Sequence, residues 1–525
     1  MAWFEASPLS GTRSASRHLA LVVALLFLQF VLRSANITAQ EAFVDEGYHL
    51  QRAAIVWSFQ QNPGQFSEGK FLVYFWLGLF QGPRSTVLAA SRLSMALFSL
   101  ITGAGLYLVA RMLYGHAAGL VALTLYVLLP LSLFFERMAL ADPFVSGWAV
   151  LAAWRSLVFA RRPSYHEGAR LGVLIALTTM AKLTMVLVPL LPVAVALIYF
   201  HWQRGALAPQ VRCWLRRYLP SLIVAAFVVV ALWLPVLVPA YLARDSGKPF
   251  ALVNTTTVRT ESTTGLAGAG RYLANVMPLV TDFVGSGLLV VAALGLFVGL
   301  LRWCRNGICL RHTLFLMALL LIATAAVIFL SGLPTARYFV PAAVPLCILV
   351  SGFAVYLWNV QPVRRLSRFV VVAAGFVWLA TFALPADRAV IAAPLELPLS
   401  PPNHYEYQSG SITADEATID LARFLNMATL PRLYANWQLC PLLYLYLDRP
   451  LHCFKQFATK SEMAAQLAAE LEACDVALVN LGGNAPPVFF DELGSAFQWQ
   501  EITQYQHPRL STPIRLFMVR RAGCK

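Results

Sequence analysis

Charge is scarce in this sequence. Only 12% of its 525 residues are Asp, Glu, Lys or Arg, whereas 59% are hydrophobic. Soluble proteins average about 25% charged and about 45–50% apolar residues. So little charge cannot cover a water-facing surface, which excludes a soluble enzyme for most of the chain and also a disordered or collagen-like one. A polytopic membrane protein remains, and the net charge of +15 is assigned to cytoplasmic loops rather than to nucleic-acid binding.

Several catalytic and metal-binding motifs are also missing. The sequence has no Walker loop, G-x-S-x-G or H-E-x-x-H, which argues against an ATP-driven pump and these hydrolase classes. Cys304 and Cys309 have no accompanying histidine spacing, so we expect no zinc site there. Four cysteines lie in the tail, where one or two disulfides of undetermined pairing can form: Cys440, Cys453, Cys474 and Cys524.

Apolar runs that approach membrane-spanning length recur through the first 385 residues. A span needs about 20 mostly apolar residues. We predict about eleven spans, near 18–32, 85–110, 117–135, 143–160, 169–181, 183–200, 218–241, 281–301, 312–331, 337–358 and 368–385. Dividing 169–200 at Thr178, Thr179 and Lys182 places the arginine-rich loops on the cytoplasmic side with the N-terminus. The odd number of spans then places the tail on the non-cytoplasmic face, and we expect the membrane to be a bacterial inner membrane.

The composition changes after Leu384. A proline-rich stretch follows, and beyond it helical and strand-like patterns alternate. We therefore predict a membrane domain at 1–385, a linker at 386–403 and a small soluble α/β domain at 404–525. The clearest elements of that last domain are two helices and two strands: ADEATIDLARFLN, SEMAAQLAAELEAC with Ser461 as its cap, CDVALVNLGG and IRLFMVRR.

Two adjacent acidic residues follow the first predicted span on the non-cytoplasmic side. Asp45 and Glu46 stand in AFVDEGYHLQRA, with His49 close by. Charge at a membrane face is costly unless it is used or paired, which favours a functional site. The alternative, with about equal weight, is a solvated pair at the start of a helix. His49 is better explained as a residue on the surface of that helix than as a substrate contact.

Two further charged positions are predicted on the same face. Asp142, in FFERMALADPFVSGW, either caps a helix that starts at Pro143 or adds a second carboxylate to the compartment of Asp45. Lys70 opens the aromatic stretch KFLVYFWLGLF, which is too short to span and is expected to lie on the outer surface. Its ammonium either extends to water or binds a lipid phosphate. Lys182, between two spans, is better explained by extension to water.

Taken together, these features resemble the type C glycosyltransferases, most closely the protein mannosyltransferase and lipid A aminoarabinose transferase group. The shared pattern is a first helix followed by D-E, a lysine that opens an aromatic interfacial stretch, and R-x-x-x-x-D after the third span. The likeness covers roughly residues 1–385. Members of the group are polytopic enzymes that use polyprenyl-phosphate sugars on the non-cytoplasmic face. The resemblance therefore implies a glycosyltransferase.

The resemblance also implies roles for individual residues. Asp45 would be the catalytic base for the acceptor hydroxyl. Glu46 would support it or contact the acceptor, and Asp142 would orient the acceptor or share the role of base. Arg337 and Tyr338 stand in RYFVPAAVPL, which is similar to the group's R-Y-x-x-P run. The candidates for binding the substrates, above all the donor phosphate, are Lys70, Arg137, Arg259, Arg337, Tyr338 and His49.

The leading hypothesis is a hexosyl or pentosyl transferase. Its donor would be a polyprenyl-phosphate sugar, a hexose such as mannose, and its acceptor an envelope glycan, lipid or protein. We predict no metal site, although Asp45, Glu46 and Asp142 leave room for a divalent cation. A secondary transporter or lipid flippase is the alternative, and it predicts broken helices with midplane charges. A third class is a non-catalytic scaffold. The leading hypothesis requires Asp45, Asp142 and Lys70 to converge around one cavity.

Overall fold

The computed structural model describes most of the chain and divides it into two compact units. The described residues are 12–60, 67–202, 206–242, 265–301, 307–331, 334–360, 364–409, 416–427, 432–436, 439–454, 459–471, 476–482, 486–505 and 514–522. The first unit contains Met1–Ile37, Ile55–Trp76 and Arg92–Pro398. The second contains Thr38–Ala54, Leu77–Ser91 and Leu399–Lys525. Two short segments of the predicted membrane domain therefore group with the tail, and the predicted boundaries at 385 and 403 stay a prediction.

The first unit is built from helices, three of which continue into residues of the second unit. In chain order they are α1 (Thr12–Ser34), α2 (Val44–Val56), α3 (Phe71–Gly78), α4 (Arg84–Tyr114), α5 (His116–Val127), α6 (Pro130–Glu136), α7 (Ala141–Arg161), α8 (Tyr165–Ala181), α9 (Leu190–Tyr199), α10 (Leu207–Leu242), α11 (Gly265–Val284), α12 (Ser286–Leu301), α13 (Gly307–Leu330), α14 (Ala343–Trp358), α15 (Arg364–Trp378) and α16 (Leu384–Ala392). A 3₁₀ helix, Ala336–Ala342, leads directly into α14.

Seven helices of the described ranges are long and apolar enough to cross a membrane. The number rises to nine if the bent pairs α5 with α6 and α11 with α12 each form one span. The other two predicted spans are the short helices α8 and α9, of 17 and 10 residues. The predicted division of 169–200 is confirmed, because α8 ends at Ala181 and a 3₁₀ turn follows at Leu183–Met185. The protein is a polytopic α-helical membrane protein.

The contact between α8 and α10 shows how these helices pack where burial of apolar surface from water gives little advantage. Gly168 and Gly172 lie one turn apart on α8, and a Cβ at either position would overlap the backbone of α10, at Ser221 and Ala225 respectively. Small residues at this spacing let two backbones approach closely in lipid. On α10 itself, Phe227 is 72% exposed, as expected for a side chain that contacts acyl chains rather than water.

A buried ion pair joins α1 to α6. The Arg33 guanidinium donates to the Glu136 carboxylate, and both side chains are fully buried. Tyr126 donates its hydroxyl to the other Glu136 oxygen at 2.5 Å, and Arg33 also donates to the Tyr126 carbonyl and the Ser132 hydroxyl. These bonds satisfy the charges that burial would otherwise make costly. Glu136 therefore has a structural role: it links α6 to α1 and α5.

The tail of the second unit is an α/β domain. Its elements are α17 (Pro401–His404), α18 (Glu416–Met427), β1 (Arg432–Ala435), α19 (Cys440–Tyr444), β2 (His452–Cys453), α20 (Lys460–Glu470), β3 (Val476–Gly482), α21 (Pro486–Leu493), β4 (Phe497–Tyr505) and β5 (Ile514–Arg521). The strand order is β2-β1-β3-β5-β4, with β1 parallel to β2 and β3, and β5 antiparallel to β3 and β4. Its core includes Tyr434, Leu467, Val479, Phe489 and Phe517, each fully buried.

The tail elements predicted from sequence are confirmed, with one correction. The two helices are α18 and α20, and the two strands are β3 and β5. The cap of α20 is Thr459, not Ser461: the Thr459 hydroxyl accepts from the Glu462 amide, and the Glu462 carboxylate accepts from the Thr459 amide. This reciprocal pair is a capping box, and it outcompetes a serine placed two residues later. α16 occupies the start of the segment predicted as a linker.

Candidate active site

A buried carboxylate in the first unit pairs with a lysine that has further cations near it. Asp142, in the first turn of α7, forms an ion pair with the Lys182 ammonium. The Asp142 side chain is 6% exposed and the Lys182 side chain 7%. The same ammonium lies 4.3 Å from the centre of the Tyr338 ring, and the Arg337 guanidinium lies 5.5 Å from that ring. Lys182 thus contacts both a carboxylate and an aromatic face, which are two favourable partners for a desolvated ammonium.

A backbone hydrogen bond holds the turn that carries Lys70 next to Lys182. This turn has positive φ angles at Glu68 (47°) and Gly69 (78°), and the Lys70 amide closes it by donating to Ser67. The Gly69 carbonyl accepts a hydrogen bond of 2.9 Å from the Leu183 amide. This bond joins the residue before Lys70 to the residue after Lys182, so both ammonium groups start from adjacent backbone. We call Lys70, Asp142, Lys182, Arg337 and Tyr338 the cation cluster.

Charges of both signs lie around Lys182. The charges of Lys70, Asp142 and Arg337 all act on Lys182, and only Asp142 is attractive. Lys70, Arg337 and Tyr338 are half-buried, whereas Lys182 is buried. Three cations held together at the cost of mutual repulsion, partly out of water, form a strong binding position for an anion with several oxygens. Chemically, this arrangement can hold a phosphate or stabilise one as it leaves.

The acidic pair lies in the second unit, at the start of α2. Glu46 is buried, and its carboxylate accepts a hydrogen bond of 3.0 Å from the Phe43 amide. The Glu46 and Gly47 amides in turn donate to the Phe43 carbonyl. Glu46 therefore caps its own helix, as a third-position glutamate does in a capping box. Asp45 is half-buried in the same turn.

The other predicted substrate-binding residues have different surroundings. Arg137 donates to the carbonyls of Leu32, Arg33, Ala35 and Asn36 at 2.6–3.2 Å, so it caps the carboxyl end of α1. This is a structural use of the guanidinium, and its predicted contact with substrate stays a prediction. His49 is buried in α2 rather than on the helix surface as expected. Arg259 lies outside the described residues.

The structure thus brings together Lys70, Asp142, Arg337 and Tyr338, while Asp45, Glu46 and His49 belong to the second unit. Convergence of Asp45 with the cation cluster stays a prediction. Sequence reasoning missed Lys182. Its interpretation as a lysine that extends to water is wrong, because the side chain is buried against Asp142. The signal was present, since a charged residue at a break between two apolar helices is costly in a membrane unless it is used or paired.

Metal-binding potential is limited in the part of the chain that the structure describes. No group of three or more His, Cys, Asp or Glu side chains comes together there in a way that could hold a metal ion. One Asp142 carboxylate oxygen accepts a hydrogen bond from Lys182, and one Glu46 carboxylate oxygen accepts a hydrogen bond from the Phe43 amide. A divalent cation at these carboxylates would have to compete with both contacts.

The solved structures that share the fold of this chain are type C glycosyltransferases. ArnT from Cupriavidus metallidurans bound to undecaprenyl phosphate superposes with a TM-score of 0.56 and 16% identity, over 97% of this chain and 99% of that chain. The archaeal oligosaccharyltransferase AglB from Archaeoglobus fulgidus, in complex with an inhibitory peptide and a dolichol-phosphate, gives 0.53 and 12% identity over 90% of this chain and 70% of that chain. No protein-family model and no curated protein sequence matches the chain.

Proposed function

We propose that this protein is a membrane glycosyltransferase that moves a sugar from a polyprenyl-phosphate donor to an acceptor on the non-cytoplasmic side of the membrane. The observation that carries the proposal is the cation cluster, in which Lys70 and Arg337 come near the buried Asp142–Lys182 pair. The likeness in fold to ArnT and AglB, solved with undecaprenyl phosphate and a dolichol-phosphate, supports the same class of donor. A lipid donor also accounts for the many apolar helices.

The reaction needs a stabilised leaving group. The acceptor oxygen attacks the anomeric carbon, the bond from that carbon to the phosphate oxygen breaks, and the polyprenyl phosphate leaves with the electron pair. Lys70, Lys182 and Arg337 would neutralise the negative charge that develops on the phosphate. Asp142 would act as a positioning residue, because its carboxylate holds the Lys182 ammonium. Direct displacement of this kind inverts the anomeric centre.

The reaction also needs a base. Asp45 would take the proton from the acceptor hydroxyl, a step that typically contributes 10²–10⁴-fold. Glu46 is already used as a helix cap, so it would support Asp45 by fixing the first turn of α2. This division leaves Asp45 as the catalytic carboxylate of the pair.

The sugar, the acceptor and the location complete the proposal. We propose a hexose such as mannose, with a pentose as the second choice, transferred to an envelope glycan, lipid or protein. The chain would lie in a bacterial inner membrane with its N-terminus in the cytoplasm and its tail on the opposite side. Mass spectrometry of envelope glycans from a deletion strain identifies the missing sugar and its acceptor.

The direct test is transfer by the purified protein in liposomes, with undecaprenyl-phosphate mannose and related lipid-phosphate sugars as donors. Release of undecaprenyl phosphate reports turnover. Lys182→Gln should lower kcat by about 10²–10³-fold, as loss of one group that stabilises a developing anion does in other enzymes. Since Lys182→Gln leaves Asp142 buried and unpaired, Lys182→Gln/Asp142→Asn separates the loss of the cation from the loss of folding stability.

A matched control and two contrary outcomes sharpen this test. Arg170→Gln removes a cation that is 60% exposed and paired with Glu167, and it should leave turnover unchanged. Turnover that survives in Lys182→Gln, Lys70→Gln and Arg337→Gln would contradict the role of the cation cluster. Movement of the lipid-phosphate sugar between leaflets without any transfer would favour the flippase hypothesis instead.

A further inference from the structure

The helix that carries Asp45 packs against a short segment of the tail closed by a disulfide. Cys440 and Cys453 are bonded, with their Cα atoms 5.6 Å apart. We call Cys440–Cys453 the disulfide segment. Gly47, two residues after Asp45, lies so close to it that a Cβ would overlap the Pro441 carbonyl and lie 2.8 Å from the Pro441 Cβ. The glycine of the D-E-G sequence is therefore required by a close approach of backbone to backbone.

A second contact lies one helical turn further along α2. The side-chain nitrogen of Gln51 (Nε2) donates a hydrogen bond of 3.5 Å to the Cys453 sulfur. Residues four apart lie on the same face of a helix, so Gly47 and Gln51 present one face of α2 to the disulfide segment. That face meets both ends of the segment, Pro441 beside the first cysteine and Cys453 itself. The disulfide fixes the distance between these two contact points.

The disulfide segment is itself held in place from several sides. The Arg84 guanidinium at the start of α4 donates to the Leu447 carbonyl and, at 3.0 Å, to the Arg449 carbonyl, and it lies 4.7 Å from the Tyr444 ring. The Asn426 side chain on α18 donates to the Tyr446 carbonyl and accepts from the Asp448 amide, both at 3.0 Å. The disulfide segment is thus held by side chains of α4 and α18, and α2 packs against it.

We infer that the disulfide segment positions Asp45 for catalysis, so that breaking the Cys440–Cys453 bond slows sugar transfer without affecting the binding of the donor phosphate. This inference rests on the proposed function, in which Asp45 is the base. It gives the tail a task in the reaction: it fixes the turn of α2 that carries the carboxylate. A displacement of about 1 Å at a reacting group can cost about 10²-fold in rate.

Reduction of the wild-type protein is the first experiment. A dithiol reagent breaks the sulfur–sulfur bond, leaves two thiols, and itself becomes a cyclic disulfide. Treatment should lower kcat by about 10–100-fold, while the KM for undecaprenyl-phosphate mannose and the binding of undecaprenyl phosphate change less than about twofold. Cys440→Ala/Cys453→Ala should show the same low kcat and no further response to the reagent, since its disulfide is already absent.

A glycine substitution tests the contact without touching the disulfide. Gly47→Ala places a methyl group against Pro441 and should lower kcat in the same way, again with KM for the donor unchanged. Gly375→Ala is the matched control, because a Cβ there meets nothing within 4 Å and the position is exposed on α15. If both changes act on one position, the losses from Gly47→Ala and from the cysteine pair should not multiply when combined.

The outcomes separate this inference from the proposed function. If wild-type protein transfers sugar and Asp45→Asn does not, the proposed function stands. If the reduced protein and Gly47→Ala then keep the wild-type kcat, the inference is overturned alone. It is also overturned if either change abolishes undecaprenyl phosphate binding, because the loss would then reflect a general disruption. Loss of kcat with binding retained supports it.

Discussion

At the scale of single residues, loss of one partner of a buried ion pair has a large effect on the stability of this protein. Arg33 and Glu136 are both fully buried and are paired with one another. Glu136→Gln removes one partner and leaves the guanidinium charge buried, which typically costs about 3–5 kcal/mol. We expect a clear fall in the Tm of the full-length protein in detergent. Asp420→Asn serves as the control, since its pair with Arg423 is 53% and 73% exposed and should contribute about 0–1 kcal/mol. Equal Tm values for both variants would contradict this prediction.

An exposed pair in the tail predicts a dependence on pH. Glu501 on β4 pairs with Arg515 on β5, and hydrogen bonding to that guanidinium lowers the pKa of the Glu501 carboxyl from its usual 4.5. A lowered pKa in the folded state stabilises the sheet above pH 4.5, and this contribution disappears as the pH falls through the folded pKa. Both side chains are 30% exposed, so the contribution is about 0.2–1 kcal/mol.

Hydrogen exchange of the β4 and β5 amides measures this effect. Glu501→Gln should exchange faster than wild type at pH 7. The difference between the two proteins should shrink when the comparison is repeated in acid, where the wild-type carboxylate is protonated. A difference that stays constant, or grows, as the pH falls would count against the ion pair.

At the level of elements, side chains that cap a helix contribute to the stability of that helix. α20 begins with the capping box of Thr459 and Glu462. Thr459→Ala should cost about 1 kcal/mol, because the Glu462 amide at the start of α20 loses its partner, the Thr459 hydroxyl. Ser461→Ala should cost less, since Ser461 only donates to the exposed side chain of Glu492. Amide exchange across Lys460–Glu470 ranks the two variants, and a larger effect for Ser461→Ala would restore it as the cap.

At the level of the whole molecule, the arrangement of arginines predicts the orientation in the membrane. Cys213 is exposed near the start of α10, beside Arg212, Arg216 and Arg217. The positive-inside rule assigns these residues to the cytoplasm. In a variant with Cys213 as its single thiol, a membrane-impermeant maleimide should label opened membranes and not intact spheroplasts. A protease added to intact spheroplasts should cleave the tail. Labelling of Cys213 in intact spheroplasts would contradict the predicted orientation and indicate the opposite one.

The class of the molecule and its local elements follow from the sequence alone. Low charge, apolar runs and the break at Lys182 lead to a polytopic helical protein, because lipid requires long apolar helices whatever their order. The D-E pair, Lys70 and the R-Y run led to the type C resemblance. The contacts between residues that lie far apart in the chain follow from tertiary packing. Lys182 meets Asp142 across 40 residues, and Gly47 meets Pro441 from the far end of the chain. Local periodicity carries no record of such contacts, since they depend on how separate elements pack.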